Sequence, residues 1–184
     1  MRELIKALLI AASVFYSGFT AAEYCDLSLS FETEPKYSSQ IVDVHEGKKL
    51  KLKRWVAIQT IAASSARRAT NVTCQTIDGV VYSGGTEEWK QFIESAAKGL
   101  SQANAKDIRF TLIGSDEALY HGKLEHLEYR FDAVIGDHEQ VIKNITLIER
   151  DRNEVITVSV SGSKLVEEEI ISEYQRVIEL FSRH

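Results

Sequence analysis

The chain has 184 residues, of which 44% are hydrophobic, and a formal net charge of −5. That length suits one domain with its own core, and the acidic balance disfavours nucleic acid, whose recognition rests on basic side chains set against phosphate. A single proline, no internal repeat and no low-complexity tract exclude a linker-divided architecture.

The amino terminus reads "MRELIKALLIAASVFYSGFTAA". Arg2 and Lys6 give a positive start, residues 7–16 are apolar, and Thr20-Ala21-Ala22 supply small residues. This is the three-part pattern of a secretory signal peptide, with cleavage expected after Ala22. The apolar run is shorter than the roughly 20 residues a membrane-spanning helix needs, and no other segment approaches that length. Residues 1–22 are therefore expected to be a leader and residues 23–184 a single exported, periplasmic domain without a transmembrane segment. Losing Arg2, Lys6 and Glu3 takes the net charge from −5 to −6.

Cys25 follows in "FTAAEYCDLS". Glu23 and Tyr24 precede it, a charge and a phenol where a lipoprotein needs small or aliphatic residues, so a lipid anchor does not fit. The other cysteine is Cys74, in "ATNVTCQTI". Two cysteines in an oxidising compartment read as one disulfide, Cys25–Cys74. Closing a loop of about fifty residues should stabilise the fold by roughly 4 kcal/mol.

"CDLSLSFET" alternates, with Leu27, Leu29 and Phe31 on one side, and predicts a half-buried strand. "SQIVDVHEGKKLKLKRWVAIQTIA" predicts a hairpin turning at Glu46-Gly47. Within it "KKLKLKR", Lys48 to Arg54, looks like a strand with an outward charged face; a patch for an anionic surface is the alternative. "ATNVTCQTIDGVVYSGG" predicts a strand ending at Gly84-Gly85.

The period then changes. In "TEEWKQFIESAAKGLSQA", Trp89, Phe92, Ile93, Ala96, Ala97 and Leu100 form one helical stripe. Thr86 is the expected N-cap, with Glu87 and Glu88 favoured at the positive end of the helix. Strands are predicted in "DIRFTLIG", "KLEHLEYRFDAVI", "EQVIKNITLIER" and "NEVITVSVSG", the last two joined by a turn at residues 150–153. "LVEEEIISEYQRVIELF" closes the chain as a second amphipathic helix, with Ser161 or Ser163 as its N-cap.

Runs of strands between isolated helices predict an α+β fold, an antiparallel sheet flanked by helices. Both helices are expected on one sheet face, with the other partly solvated. Residues 86–184 carry twelve Lys/Arg against nineteen Asp/Glu, while residues 23–85 carry eight against seven, so the acidic excess lies in the second half.

The order and spacing of "EEWKQFIESAAKGL", "IRFTLIG", "LEHLEYRFDAVI", "VIKNITLIER", "EVITVSVSG" and "EEEIISEYQRVIELF", with the opening "LSLSFETEP", resemble the PsbP-like superfamily, a fold shared with the Ran-binding Mog protein of yeast. Within it the chain looks most like the DcrB-type envelope proteins of Gram-negative bacteria, over residues 26–182. Those proteins are often anchored through a lipidated cysteine, for which Cys25 lacks the context. The resemblance implies an α/β/α sandwich and a non-enzymatic accessory or binding role, with another envelope protein as partner. It carries over no catalytic residue and no cofactor.

His126, Glu128, Arg130 and Asp132 share one strand face and, with the aromatic Trp55, are the candidate ligand or partner surface. His126 alone does not make a metal site, since ligands from other strands are needed; His121 and His126, five apart, point to opposite faces. Tyr82 is a second aromatic candidate. Ser161-x-x-Lys164 has the spacing of a serine nucleophile with a lysine base, but no companion motif accompanies it. "GGTEE" is a poor phosphate cradle because its glutamates repel an anion. The sequons at Asn71 and Asn144 read as strand residues. The expected function is an exported binding protein acting through protein contacts. A periplasmic binder of a small ligand or metal ion and an inhibitor or immunity protein against a secreted toxin are the alternatives.

Overall fold

Both helical stripes and all but the first alternating segment become regular structure, and turns of two to six residues join the strands that pair as neighbours in sequence. The computed structural model describes residues 24–27, 30–44, 47–113, 119–120 and 124–181. Residues 1–22, and with them the expected leader, lie outside the described residues, as do Leu29, His45, Glu46, His121 and His184.

The strands are β1 (Lys36–Asp43), β2 (Lys49–Thr60), β3 (Arg67–Ile77), β4 (Ala105–Leu112), β5 (Leu119–Tyr120), β6 (Leu124–Ile135), β7 (His138–Glu149) and β8 (Glu154–Ser163). Helix α1 (Thr86–Gln102) lies between β3 and β4, and a 3₁₀ turn (Lys164–Val166) leads from β8 into α2 (Glu167–Phe181). The sheet order is β1-β2-β3-β8-β7-β6-β4, with β5 paired to β6. Every described pairing is antiparallel. The molecule is an α+β fold, an antiparallel sheet flanked by helices.

The helices cover opposite faces, not one. Val166, Ile170, Tyr174 and Val177 pack with Val72, Cys74, Val141, Ile145, Leu147, Ile156, Val158 and Val160. Trp89, Phe92, Ile93 and Leu100 pack with Leu127, Tyr129, Phe131, Ile142, Ile148 and Val155. β7 and β8 sit mid-sheet between these layers; β7 is accordingly buried on both faces over Asn144–Ile148, whereas β8 alternates Ile156, Val158 and Val160 toward α2 with the hydroxyls of Thr157, Ser159 and Ser161 on the other face. Each such side chain contributes about 1.5–3 kcal/mol when fully buried.

Two expectations are corrected locally. The segment from Tyr24 to Pro35 forms no strand among its described residues. It is a strap across the α2 side of the sheet, held by the Cys25–Cys74 disulfide, whose residues are 49 apart in sequence. The Cys25 N–H also donates to buried Glu154 Oε1 at 2.6 Å. Leu27 and Phe31 still enter the core, but as part of a covering layer. The N-cap of α1 is Gly85, not Thr86. Glu88, in the first turn, reaches back past the cap instead and accepts from the N–H groups of Ser83 (2.8 Å) and Gly84 (2.7 Å), while the Gly85 N–H donates to Ser83 Oγ at 3.0 Å. Of Ser161 and Ser163, Ser163 caps the 3₁₀ turn that precedes the final helix rather than the helix itself: its hydroxyl accepts from Leu165 N.

The turns follow backbone chemistry. β6 and β7 are joined by Gly136-Asp137 alone, and Gly136 has φ +62°, as a two-residue hairpin turn of the primed kind requires. α1 ends with Asn104 at φ +61°, a residue type that tolerates the left-handed conformation there.

Candidate functional surface

β6 directs alternate side chains to opposite layers. Leu127, Tyr129, Phe131 and Ala133 face α1, so His126, Glu128, Arg130 and Asp132 face the α2 side. The register places His126 opposite Leu147 and Glu128 opposite Ile145, both in the α2-side core. This face is therefore half-buried and internally bonded rather than a free strip of charge. Arg130 donates to both Asp132 oxygens, from Nε at 2.9 Å and Nη2 at 2.6 Å, and from Nη1 to Glu167 Oε1 at 2.5 Å. Glu167 is the first residue of α2, so the fork ties β6 to the helix start. The Tyr174 hydroxyl lies 3.3 Å from Glu128 Oε2 and 3.1 Å from the Asn144 carbonyl.

The electrostatics follow. The Arg130 hydrogen bonds hold the Asp132 carboxyl below its ordinary range, and the charges of Arg130, Arg109 and Lys164 add to the effect. The Asp132 hydrogen bond in turn raises Arg130 above its ordinary value, against a smaller effect of burial. Beside this pair lies a cleft of about 180 Å³ lined by Asp107, Arg109, Asp132, Glu139 and Lys164, among others. Asp107 has φ +51° and sits where the β4–β6 register shifts, a bulge that turns Arg109 toward Asp132. Lys164 is paired with Glu139 at 3.2 Å.

Trp55 does not join this group. It lies in β2, four strand positions from β6, and packs against Tyr37 with ring centroids 5.4 Å apart. Among the described residues His126 belongs to no group of three potential metal ligands; Cys25, Cys74 and Glu154 form such a group, but both sulfurs are in the disulfide. Ser161 pairs with Ile142 in register and so lies on the α1 side, whereas Lys164 lines the cleft with Asp132. The two do not converge. Asn144, at 5% exposure, is a core residue. Tyr82 is 4% exposed, and burial pushes its phenol up to about 12.

The basic strand differs from its expected outward face. Lys53 is buried, with its ammonium 4.7 Å from the Tyr24 ring centroid, and Lys51 pairs with Asp78 at 2.8 Å. The strap thus rests on the lysine-bearing side of β2.

Two features were missed at the level of sequence. One is a buried ion network under the strap. Arg68 donates to Glu32 Oε2 at 2.6 Å and to Gln59, and lies 3.5 Å from Glu173 Oε2. Glu173 also accepts from Thr70 (3.0 Å) and from Arg176 (2.7 and 2.8 Å). Burial pushes the Glu173 carboxyl up, but the hydrogen bonds and charges of Arg176 and Arg68 outweigh it and hold the group below its ordinary range. Only Glu173 and Arg176, three apart on α2, are linked by a spacing rule; nothing in the spacing brings Glu32 or Arg68 to them. The other is the edge strand β1, where Tyr37, Ile41 and Val42 are exposed large apolar side chains. Its signal was legible: eight residues with charges only at the two ends.

No family model matches the chain and no curated protein matches it. Among solved structures, a protein of unknown function and putative regulator from Pseudomonas aeruginosa is similar at 9% identity and a TM-score of 0.46, covering 75% of this chain and 92% of its own.

Proposed function

We propose that the protein is an exported, non-enzymatic binding protein of the bacterial envelope, of the PsbP-like, DcrB-type kind, that acts through contacts with another envelope protein. The observation that carries this reading is the buried disulfide. Cys25 and Cys74 are 2% and 0% exposed and pin the strap within the core. A linkage so placed is structural, and structural disulfides persist in oxidising compartments. The leader pattern of residues 1–22 supports the same location.

Protein contact is favoured over chemistry by how the polar groups are used. Arg130, Asp132 and Glu167 saturate one another, as do Arg68, Glu173 and Arg176. Of the exposed large apolar side chains among the described residues, Tyr37, Ile41 and Val42 lie on β1 and Phe110 and Leu112 on β4, while Ile58, Val81, Ile113 and Leu165 lie elsewhere. Exposed apolar groups in a row are features of an interaction surface. Crosslinking in the native envelope tests the reading: a reproducible adduct with another envelope protein is expected, and repeated absence of any adduct contradicts it.

A second reading is supported by the cleft at Arg109, Asp132 and Lys164. It would hold a small charged ligand. A thermal-shift screen with metal ions and small metabolites is its test; no shift with any of them ends it.

A further inference from the structure

We infer that β1 is a docking edge for a second copy of this chain, the two β1 strands pairing antiparallel about a two-fold axis through Ser39. The inference deepens the binding role proposed above and rests on it only for the protein's being a docking scaffold.

The two edges of the sheet are treated differently. β4 is interrupted by a bulge between Lys106 and Arg109, carries Asp107 in the left-handed region, and bears charges at Lys106, Asp107 and Arg109. These are devices by which an edge is protected from pairing. β1 has none of them. Its register with β2 is unbroken over all eight residues, and between Lys36 and Asp43 the sequence Tyr-Ser-Ser-Gln-Ile-Val holds no charge and no proline. An uninterrupted edge without a charge in its middle is a template for another strand.

The hydrogen-bond phase fixes which groups are offered. The Val44 N–H donates to the Lys48 carbonyl at 2.8 Å, and the Asp78 N–H donates to the Lys49 carbonyl at 3.0 Å. Even-numbered residues of β2 therefore turn their amides toward β1, and odd-numbered ones toward β3. Across the β1–β2 register (Val42↔Leu50, Gln40↔Leu52), the even-numbered β1 residues are bonded inward. Tyr37, Ser39, Ile41 and Asp43 are left with N–H and C=O groups pointing away from the sheet.

A two-fold axis normal to the sheet keeps each face on its own side, so it can oppose only residues of like parity. With the axis at Ser39, Tyr37 meets Ile41 of the second copy, twice, and Ser39 meets its own equivalent. All three are pairs of outward-pointing residues, each exchanging two N–H···O bonds. The side chains agree. Tyr37 and Ile41 are 55% and 62% exposed, both project to the α2 side, and each would cover the other beside Trp55. Aromatic–aliphatic cross-strand pairs of this kind stabilise a sheet. Moving the axis by one residue sets Tyr37 against Asp43 instead and loses this match. Charge selects the direction as well: an antiparallel copy brings each Lys36 end to the other copy's Asp43 end, whereas a parallel one stacks like ends.

Sedimentation equilibrium of the oxidised protein is the test, with two variants that spare the β1–β2 ladder. Ser39→Pro removes an amide that points outward, together with an exposed hydroxyl 3.2 Å from that of Tyr24, and Ile41→Lys places a charge where two apolar side chains would meet. A dimer is expected for the native chain, and a monomer for both variants with the thermal midpoint and the disulfide retained. Val81→Lys, at an exposed apolar site outside β1, is expected to leave the dimer intact. A native chain that stays monomeric at its highest soluble concentration overturns the inference, as does a dimer unchanged by Ser39→Pro. A monomer that nevertheless crosslinks to another envelope protein sinks the two-copy inference and leaves the proposed function standing. A β1 dimer with no such adduct does the reverse.

Discussion

At the scale of the residue, sterics and burial make opposed predictions at two glycines. A Cβ on Gly162 would lie 2.6 Å from the Arg67 carbonyl oxygen and 3.3 Å from Ile170 Cδ1. The end of β8 can lie this close to the backbone at the start of β3, with Ile170 of α2 over it, only because no side chain stands there. Gly162→Ala should destabilise the fold by about 1–3 kcal/mol through overpacking, read as a lower midpoint in urea. Gly99, within α1, has open space where its Cβ would stand, so Gly99→Ala should stabilise by about 0.4–1 kcal/mol. Equal midpoints for the two variants would contradict this packing. The buried carboxylate is the other sensitive residue. Glu173→Ala leaves Arg68, whose side chain is 8% exposed, without its buried partner, and such a loss costs about 3–5 kcal/mol; a smaller cost than that of an exposed Glu179→Ala control would refute the network's role. Asp132 and Glu173 both titrate below their ordinary values in the folded state. Their contribution is thus full above the unfolded values of about 3.9 and 4.3, and is lost as the pH falls below these toward the folded values. The Asp132→Asn, Glu173→Gln chain should show a shallower loss of stability in acid than the native one, measured by urea titration from pH 6 downward.

At the scale of the element, the strap is the least strand-like segment and the most heavily tied. It is held by the disulfide, by Glu32 on Arg68, by the Ser30 carbonyl near Arg176 (3.4 Å), and by Tyr24 beneath Lys53. Replacing Cys25 and Cys74 together with alanine should lower stability by roughly 4 kcal/mol on the loop-entropy account, with faster limited proteolysis before Lys36; unchanged stability in guanidinium would refute it. The strap also marks where sequence reading stopped. Leu27 and Phe31 have the alternation of a strand and do face the core, but period alone cannot tell a strand inside a sheet from an extended segment lying over one. The information that decides is long-range, chiefly the bond to Cys74. Elements whose signal is local were legible: the stripe from Trp89 to Leu100, the turn at residues 150–153, and the inward alternation from Leu127 to Ala133. The start of β1 at Lys36 was less so, because Pro35 and a serine pair interrupt the apolar pattern without interrupting the strand.

At the scale of the whole molecule, two helices on opposite faces leave an eight-stranded sheet among the described residues, whose strand order ends at β1 and β4, and of these two only β4 is guarded. The polar face of β6 was legible as a face but not as a clamp. That Arg130 would spend its guanidinium on Asp132 and Glu167 depends on where α2 begins, which one strand's pattern does not contain. The sum is a scaffold with its buried charges paired and a run of exposed apolar side chains on β1, held by a sulfur–sulfur bond suited to an oxidising compartment. The most direct test of that account is intact mass spectrometry, with thiol alkylation before reduction, on the protein taken from its natural host. The account predicts a chain beginning at Glu23 in which neither Cys25 nor Cys74 is alkylated until the disulfide is reduced. A chain that retains residues 1–22, or two cysteines that alkylate without reduction, would contradict it.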